Sequence, residues 1–180
     1  LREGKPLPIM GALYHPPGGT MRHDAVVWGY ARGADRQGVE LHPFTEVTGI
    51  TRDGGRVTGV ETSAGRVAAG TVVSATAGWS STIAAMVDLR LPIITYPLQA
   101  CVTEPLKPLM DVTISSANLH VYVYQTDRGE LVIGGPVDPY PTYSHRSTLN
   151  LLEELALNAL ELLPSLRDVK VMRQWTGLCD

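Results

Sequence analysis

The pattern of apolar and polar residues follows a helical period near the start of the chain. Four apolar residues recur three and four positions apart: Val27, Tyr30, Ala31 and Ala34. This spacing is typical of one face of a helix, which is predicted to begin at Thr20 or His23 and to end at Gln37. A second amphipathic helix is predicted over residues 149–163, directly before Pro164.

A three-stranded meander is predicted after the first helix, because the period changes there to simple alternation. Residues 46–51 and 57–62 alternate between apolar and polar, and the sequence Asp-Gly-Gly at 53–55 is a strong hairpin turn. A second turn at 63–65 leads into a third strand over 66–69.

The remaining apolar runs predict further strands, over residues 9–14, 39–42, 71–75, 93–104, 111–116, 118–125, 130–134 and 169–175. The four runs between 93 and 134 predict a mostly antiparallel sheet. Small residues at 76–81, before a short helix that ends near Val87, allow a ligand or another backbone to approach closely. This order of elements predicts an α+β fold with two lobes.

Composition and charge exclude several classes of function. The 180 residues are 44% hydrophobic with a net charge of −3, which is typical of an ordinary globular protein with a proper core. Because there is no basic excess, nucleic acid is not expected as a partner. No apolar run approaches the ~20 residues of a membrane-spanning helix, so no membrane association is expected.

The cysteines and the chain ends add two expectations. Cys101 and Cys179 lack zinc-type spacing and are too few for a secreted disulfide framework, so a cytoplasmic location is expected. The chain begins at Leu1 without a signal-peptide pattern and stops directly after a strand-like stretch. We therefore expect it to be an internal piece of a longer protein.

The sequence contains none of the common phosphate-binding or hydrolase motifs. Gly-x-Gly-x-x-Gly, the P-loop, His-Glu-x-x-His and Gly-x-Ser-x-Gly are all absent, and the five histidines are scattered singly, so no metal site is expected. The strongest concentration of titratable groups is Arg22, His23 and Asp24 at the start of the first helix.

His23 can be interpreted in two ways from the residues alone. A neighbouring cation and the positive end of a helix disfavour the protonated imidazole, and a neutral imidazole is a nucleophile that could bond to an electrophilic cofactor. The alternative is a surface histidine without a chemical role.

A second candidate surface is predicted in the strand over 118–125. His120, Tyr122 and Tyr124 alternate there, so they are predicted to project from one face of the sheet. These side chains could bind a planar ring or a carboxylate. Alternatively, they form a half-exposed sheet face that favours tyrosine.

Several segments together resemble the D-amino-acid-oxidase-like FAD-dependent oxidoreductases, in which they occur in the same order. They are residues 18–19, the first helix, 46–50, 72–80 and 173–177. Within that family the chain is similar to the beta subunits of heterotetrameric sarcosine oxidases. This likeness covers nearly the whole chain from Gly11 onward and is most specific at 22–24, 98–100, 120–123 and 177–180.

The resemblance implies a domain organisation. Residues 20–88, including the meander, would form part of a Rossmann-like FAD-binding lobe. Residues 1–19 would add a strand and a turn to a substrate-binding lobe, whose antiparallel sheet and helix lie within 89–165. Residues 166–180 would return to the FAD lobe.

The resemblance also implies noncovalent FAD and an FMN attached covalently to His23. Arg22 and His120 would lie beside FMN, and the face with His120 and Tyr122 would line the cavity, with Tyr122 as a substrate contact. The cofactor-binding residues implied in this way are Arg22, His23, Val47, Ala77, Gly78 and His120. The glycine-rich turn that cradles the FAD pyrophosphate is absent, so we expect these 180 residues alone to bind FAD weakly or not at all.

The implied activity is oxidative demethylation of sarcosine to glycine and formaldehyde. Electrons would pass from FAD to FMN and then to oxygen, in a complex with alpha, gamma and delta subunits. Two alternatives remain open. One is a related secondary-amine oxidase or dehydrogenase with a single FAD, similar to dimethylglycine dehydrogenase, and the other is a non-catalytic module that docks partner subunits.

Overall fold

Two units make up the part of the chain that the structure describes. The computed structural model describes residues 9–180. We call Met21–Ile94 the meander unit. We call Thr95–Asp180, together with the described residues up to Thr20, the sheet unit.

The meander unit contains the predicted helix and the predicted meander. Helix α1 spans His23–Asp35, so the helical prediction is confirmed with the later of its two predicted starts. Three antiparallel strands lie in the order β1-β2-β3, which confirms the meander: β1 (Val47–Asp53), β2 (Arg56–Thr62) and β3 (Gly65–Ala68). A single turn of 3-10 helix (Ala77–Trp79) leads into α2 (Ser80–Ala85).

The sheet unit is an antiparallel sheet with one long helix. Its strands lie in the order β5-β6-β7-β4-β8, with these bounds: β4 (Tyr96–Pro105), β5 (Ile114–Ser116), β6 (Val121–Gln125), β7 (Glu130–Val137) and β8 (Val171–Cys179). Helix α3 spans Leu149–Leu162 and is followed by a 3-10 turn, Pro164–Leu166. The predicted antiparallel sheet and the second amphipathic helix are both confirmed.

The two faces of this sheet carry different residues. One face packs against buried residues of α3 and forms the core, to which the strands contribute Cys101, Val121, Val123, Leu131 and Ile133. On the opposite face, cross-strand pairing aligns Tyr122, Gly134, Ala100 and Trp175 in one row. We call this second face, which also carries Tyr124, the tyrosine face.

Three predicted strands are wrong. Residues 9–14, 39–42 and 71–75 have no regular structure, and Val73 is 85% exposed although its run is of the buried type. A strand is stabilised by hydrogen bonds to a neighbouring strand. Within residues 9–180, none of the eight strands pairs with these runs.

The C-terminal strand also differs from its predicted placement. β8 pairs with β4 along its length, from Tyr96 opposite Cys179 to Thr103 opposite Val171. Residues 171–179 therefore belong to the sheet unit, whereas the resemblance implied that residues 166–180 return to the FAD lobe. Alternating residues predict that a strand forms, but they do not specify its neighbour.

The two cysteines lie in opposite environments and should react at different rates. Cys101 is 2% exposed, and burial raises the pKa of its thiol to about 11, whereas Cys179 is exposed. Because the thiolate is the reactive form, iodoacetamide should modify Cys179 at least about tenfold faster than Cys101. Peptide mass spectrometry of timed samples measures both rates. Equal rates in the native protein, and not only in urea, would contradict the buried position of Cys101.

Candidate functional site

His23 is the first residue of α1, and its side chain is available for chemistry. Arg22 precedes it in an extended conformation, and no side chain caps the helix. The imidazole is exposed, and it makes no hydrogen bond or ion pair with any residue in 9–180. An accessible imidazole without a partner fits the requirement for covalent attachment of a flavin.

Asp24 pairs with Arg22 at this helix start, a contact that the sequence alone does not reveal. Arg22 Nη2 donates to Asp24 Oδ2 at 3.0 Å, and the Ala25 amide donates to Asp24 Oδ1 at 2.9 Å. The Arg22 hydrogen bond is the main reason that the pKa of the Asp24 carboxyl lies below its usual value. The guanidinium beside His23 is thus paired with a carboxylate, although the pair is exposed and therefore weak.

A shallow depression runs along α1 next to this charge pair. It has a volume of about 400 Å³ and is lined by Asp24, Ala25, Trp28, Gly29 and Arg32. The indole of Trp28 is 64% exposed, and no residue of α1 is buried. This surface offers an aromatic ring and a cation for a planar, anionic ligand.

The other candidate residues of the meander unit lie at main-chain turns and strand ends. Val47 is the half-buried first residue of β1 and pairs with Thr62. Ala77 has a left-handed backbone (φ 42°), and its carbonyl accepts a hydrogen bond of 2.6 Å from Ser80 Oγ. Gly78 is buried in the 3-10 turn. These positions fit contacts to a ligand that use main-chain atoms.

His120 and Tyr122 lie in the sheet unit, but only Tyr122 is part of the strand. β6 begins at Val121, and the exposed His120 before it has a left-handed backbone (φ 48°). The predicted alternation therefore holds for Tyr122 and Tyr124 and does not extend to His120. The two tyrosine rings are stacked, with centroids 6.4 Å apart and planes 15° apart.

The seven candidate residues are thus divided between the units. Arg22, His23, Val47, Ala77 and Gly78 lie in the meander unit, and His120 and Tyr122 lie in the sheet unit. Among the described residues, no helix is long and apolar enough to span a lipid bilayer.

A groove of about 1280 Å³ in the sheet unit was not foreseen from the sequence. It lies between residues 11–20 and the loops around β5 and β6, and its wall includes Tyr124 and Arg128. Gln125 fixes one side, because its amide bonds the backbone of Lys107 and Leu109 at 3.0 and 2.7 Å. Only the cross-strand register could have shown that these loops meet.

Comparison with known proteins identifies the family. The family model described as FAD dependent oxidoreductase (DAO) matches residues 1–180. The chain belongs to this family. The resemblance inferred from the residues is therefore confirmed, and so is the α+β class of the fold.

Individual relatives agree with this assignment. The chain is 45% identical over 98% of its length to sarcosine oxidase subunit beta of Rhodobacter capsulatus, and 48% identical over 96% to that of Rhizobium meliloti. The chain spans 42–43% of the length of these relatives. The crystal structure of L-proline dehydrogenase from P. horikoshii is similar over 85% of this chain and 42% of that one, with 29% identity and a TM-score of 0.78.

Proposed function

We propose that the chain is part of a flavin-dependent amine oxidase that demethylates sarcosine. The observation that carries this proposal is the 45–48% identity to sarcosine oxidase beta subunits over at least 96% of the chain. In the proposed reaction, the N-methyl carbon of sarcosine loses a hydride equivalent. The resulting imine is hydrolysed by water to glycine and formaldehyde.

Two flavins are proposed, FAD held noncovalently and FMN bonded to His23. When bound, they accept the hydride equivalent and pass the electrons to oxygen. His23 presents an unpaired, exposed imidazole at the start of α1. Trp28 and Arg32 line the depression along α1 and offer an aromatic surface and a cation, which suits a planar ligand with negative charge. Arg22, which is paired with Asp24, is proposed to lie beside FMN.

The meander unit is proposed to hold FAD through Val47, Ala77 and Gly78. The turn at Ala77 has a left-handed backbone that needs support, and the Ser80 hydroxyl supplies a hydrogen bond to it. In the sheet unit, we propose His120 as a residue at FMN. His120 is exposed and lies one residue before β6.

Tyr122 is proposed to contact the substrate. Partial burial is the main cause that raises the pKa of its phenol, and Tyr124 adds to the effect. A phenol is protonated at neutral pH, so the hydroxyl is able to donate a hydrogen bond to an anionic group. A secondary amino acid such as sarcosine carries a carboxylate that could accept this bond.

Alpha, gamma and delta subunits are proposed as partners, and the cytoplasm is proposed as the location. The similarity to proteins named as the beta subunit of a sarcosine oxidase supports an assembly of several chains. The low cysteine content supports a reducing compartment.

A single-FAD secondary-amine dehydrogenase is the second candidate. The similarity to L-proline dehydrogenase from P. horikoshii, with a TM-score of 0.78, favours it because proline is also a secondary amine. In such an enzyme, His23 would carry no flavin.

A flavin inventory of the complete holoenzyme separates the two candidates. After acid precipitation, the proposed function predicts equimolar FAD in the supernatant and flavin in the protein pellet. Release of all flavin into the supernatant would reject the covalent FMN and favour the single-FAD candidate. Digestion of the pellet and mass spectrometry of the peptide that contains His23 then locate the bond.

A further inference from the structure

Gly134 lies directly beneath the ring of Tyr122. In the sheet register, Gly134 of β7 is opposite Tyr122 of β6 on one side and Ala100 of β4 on the other. A Cβ atom on Gly134 would lie 2.5 Å from Tyr122 Oη, 2.6 Å from Cζ and 3.0 Å from Ala100 Cβ. The ring therefore lies across β7, whereas strand side chains ordinarily stand upright from the sheet. Any residue larger than glycine at 134 would push the phenol away.

The hydroxyl held in this position has no partner within residues 9–180. Tyr122 contacts Tyr124 by ring stacking, but its Oη forms no hydrogen bond with these residues. A half-buried tyrosine hydroxyl usually finds a partner. On the tyrosine face, the hydroxyl is thus available to a ligand.

The next residue, Gly135, leaves room for the backbone of His120 in the same way that Gly134 leaves room for the Tyr122 ring. Its φ of +145° is in the region that favours glycine, and a Cβ there would collide with the carbonyl oxygen of His120. The adjacent glycines of β7 therefore allow both candidate residues of the sheet unit to approach the strand closely.

We propose that Gly134 is a positioning residue, which together with Ala100 seats the Tyr122 phenol so that its hydroxyl donates to the substrate carboxylate. This inference rests on the proposed function, because the substrate contact of Tyr122 belongs to it. We call the packing of the Tyr122 ring against Gly134 and Ala100 the seat. It is a property of the sheet unit and can be tested without substrate.

A double-mutant cycle on stability tests the seat. In the full chain, Gly134→Ala should raise the unfolding equilibrium constant about tenfold or more, the cost of overpacking, as measured by urea denaturation. In a Tyr122→Ala background the same substitution should have less than about a third of that effect, because the colliding ring is gone. Gly177→Ala is the matched control, since the nearest atom of the described residues to its Cβ would be Leu98 O, at an ordinary contact distance of 3.9 Å. Equal destabilisation in both backgrounds would refute the seat.

Steady-state kinetics of the holoenzyme test the role toward substrate. Tyr122→Phe and Gly134→Ala should each raise KM for sarcosine about tenfold with little change in kcat, because each loses one hydrogen bond to a charged group. The KM of the double variant should be no higher than that of either single variant. Multiplied effects on KM would overturn the positioning role.

The two experiments distinguish a failure of the proposed substrate contact from a failure of the positioning role of Gly134. If Tyr122→Phe leaves KM unchanged, the substrate contact in the proposed function is refuted, and the ligand part of this inference with it. If instead the stability cycle is additive while Tyr122→Phe raises KM, the seat is refuted and the substrate contact stands.

Discussion

Replacement of His23 by alanine should eliminate covalently bound flavin from the holoenzyme. The imidazole is the proposed point of FMN attachment, and no second attachment residue is proposed. Because electrons would then lack the covalently held acceptor, sarcosine-dependent oxygen uptake should fall by about 100-fold or more. The measurements are flavin absorbance of the acid-precipitated protein and oxygen consumption with sarcosine.

The loss should not come from unfolding of α1. His23 is exposed and makes no hydrogen bond or ion pair within residues 9–180, so its removal leaves the helix contacts intact. His42→Ala is the matched control, because His42 is an exposed histidine of the same unit whose ring Nε2 lies 3.3 Å from Glu40 Oε2. A His23→Ala protein that keeps flavin in its acid pellet would show that attachment occurs elsewhere.

Replacement of Gln99 by leucine should destabilise the sheet unit strongly. Gln99 is fully buried, and its amide donates to Asp138 Oδ2 at 2.7 Å and accepts from the Thr148 amide at 3.0 Å and from Gln174 Nε2 at 2.8 Å. Leucine has a similar size but cannot make these bonds, so the buried Asp138 carboxylate loses its partner. We expect a loss of about 4 kcal/mol in the free energy of unfolding.

Urea denaturation monitored by circular dichroism measures this loss. Gln37→Leu serves as the control, since the exposed Gln37 side chain makes one hydrogen bond of 3.3 Å to Gly33 O. Its substitution should change the free energy of unfolding by less than about 0.5 kcal/mol. A Gln99→Leu protein with a stability close to that of the control would show that the buried network contributes little.

Elements with strong local signals could be predicted from the sequence. The period of Val27, Tyr30, Ala31 and Ala34 located α1, and the Asp-Gly-Gly turn located the hairpin of β1 and β2. Residues 71–75 are apolar and were also predicted as a strand, but they form none. The difference is physical, because a helix satisfies its backbone internally whereas a strand depends on a neighbour that local sequence does not specify.

Features that join distant residues could not be predicted. Gln99 bonds residues 39 to 75 positions away, and composition gives no sign of that network. The seat of Tyr122 on Gly134 likewise follows only from the strand register. The sequence did place His23 at a helix start, but it did not show that Asp24 would pair with Arg22.

Sarcosine turnover by the complete holoenzyme is the decisive measurement for the proposed function. Sarcosine should drive oxygen consumption and yield equimolar glycine and formaldehyde. A flavin-loaded holoenzyme that consumes no oxygen and forms no formaldehyde with sarcosine would refute sarcosine demethylation as the function. If dimethylglycine or proline were turned over instead, the single-FAD candidate would be supported. If no amine were oxidised, a docking module without catalytic activity would remain.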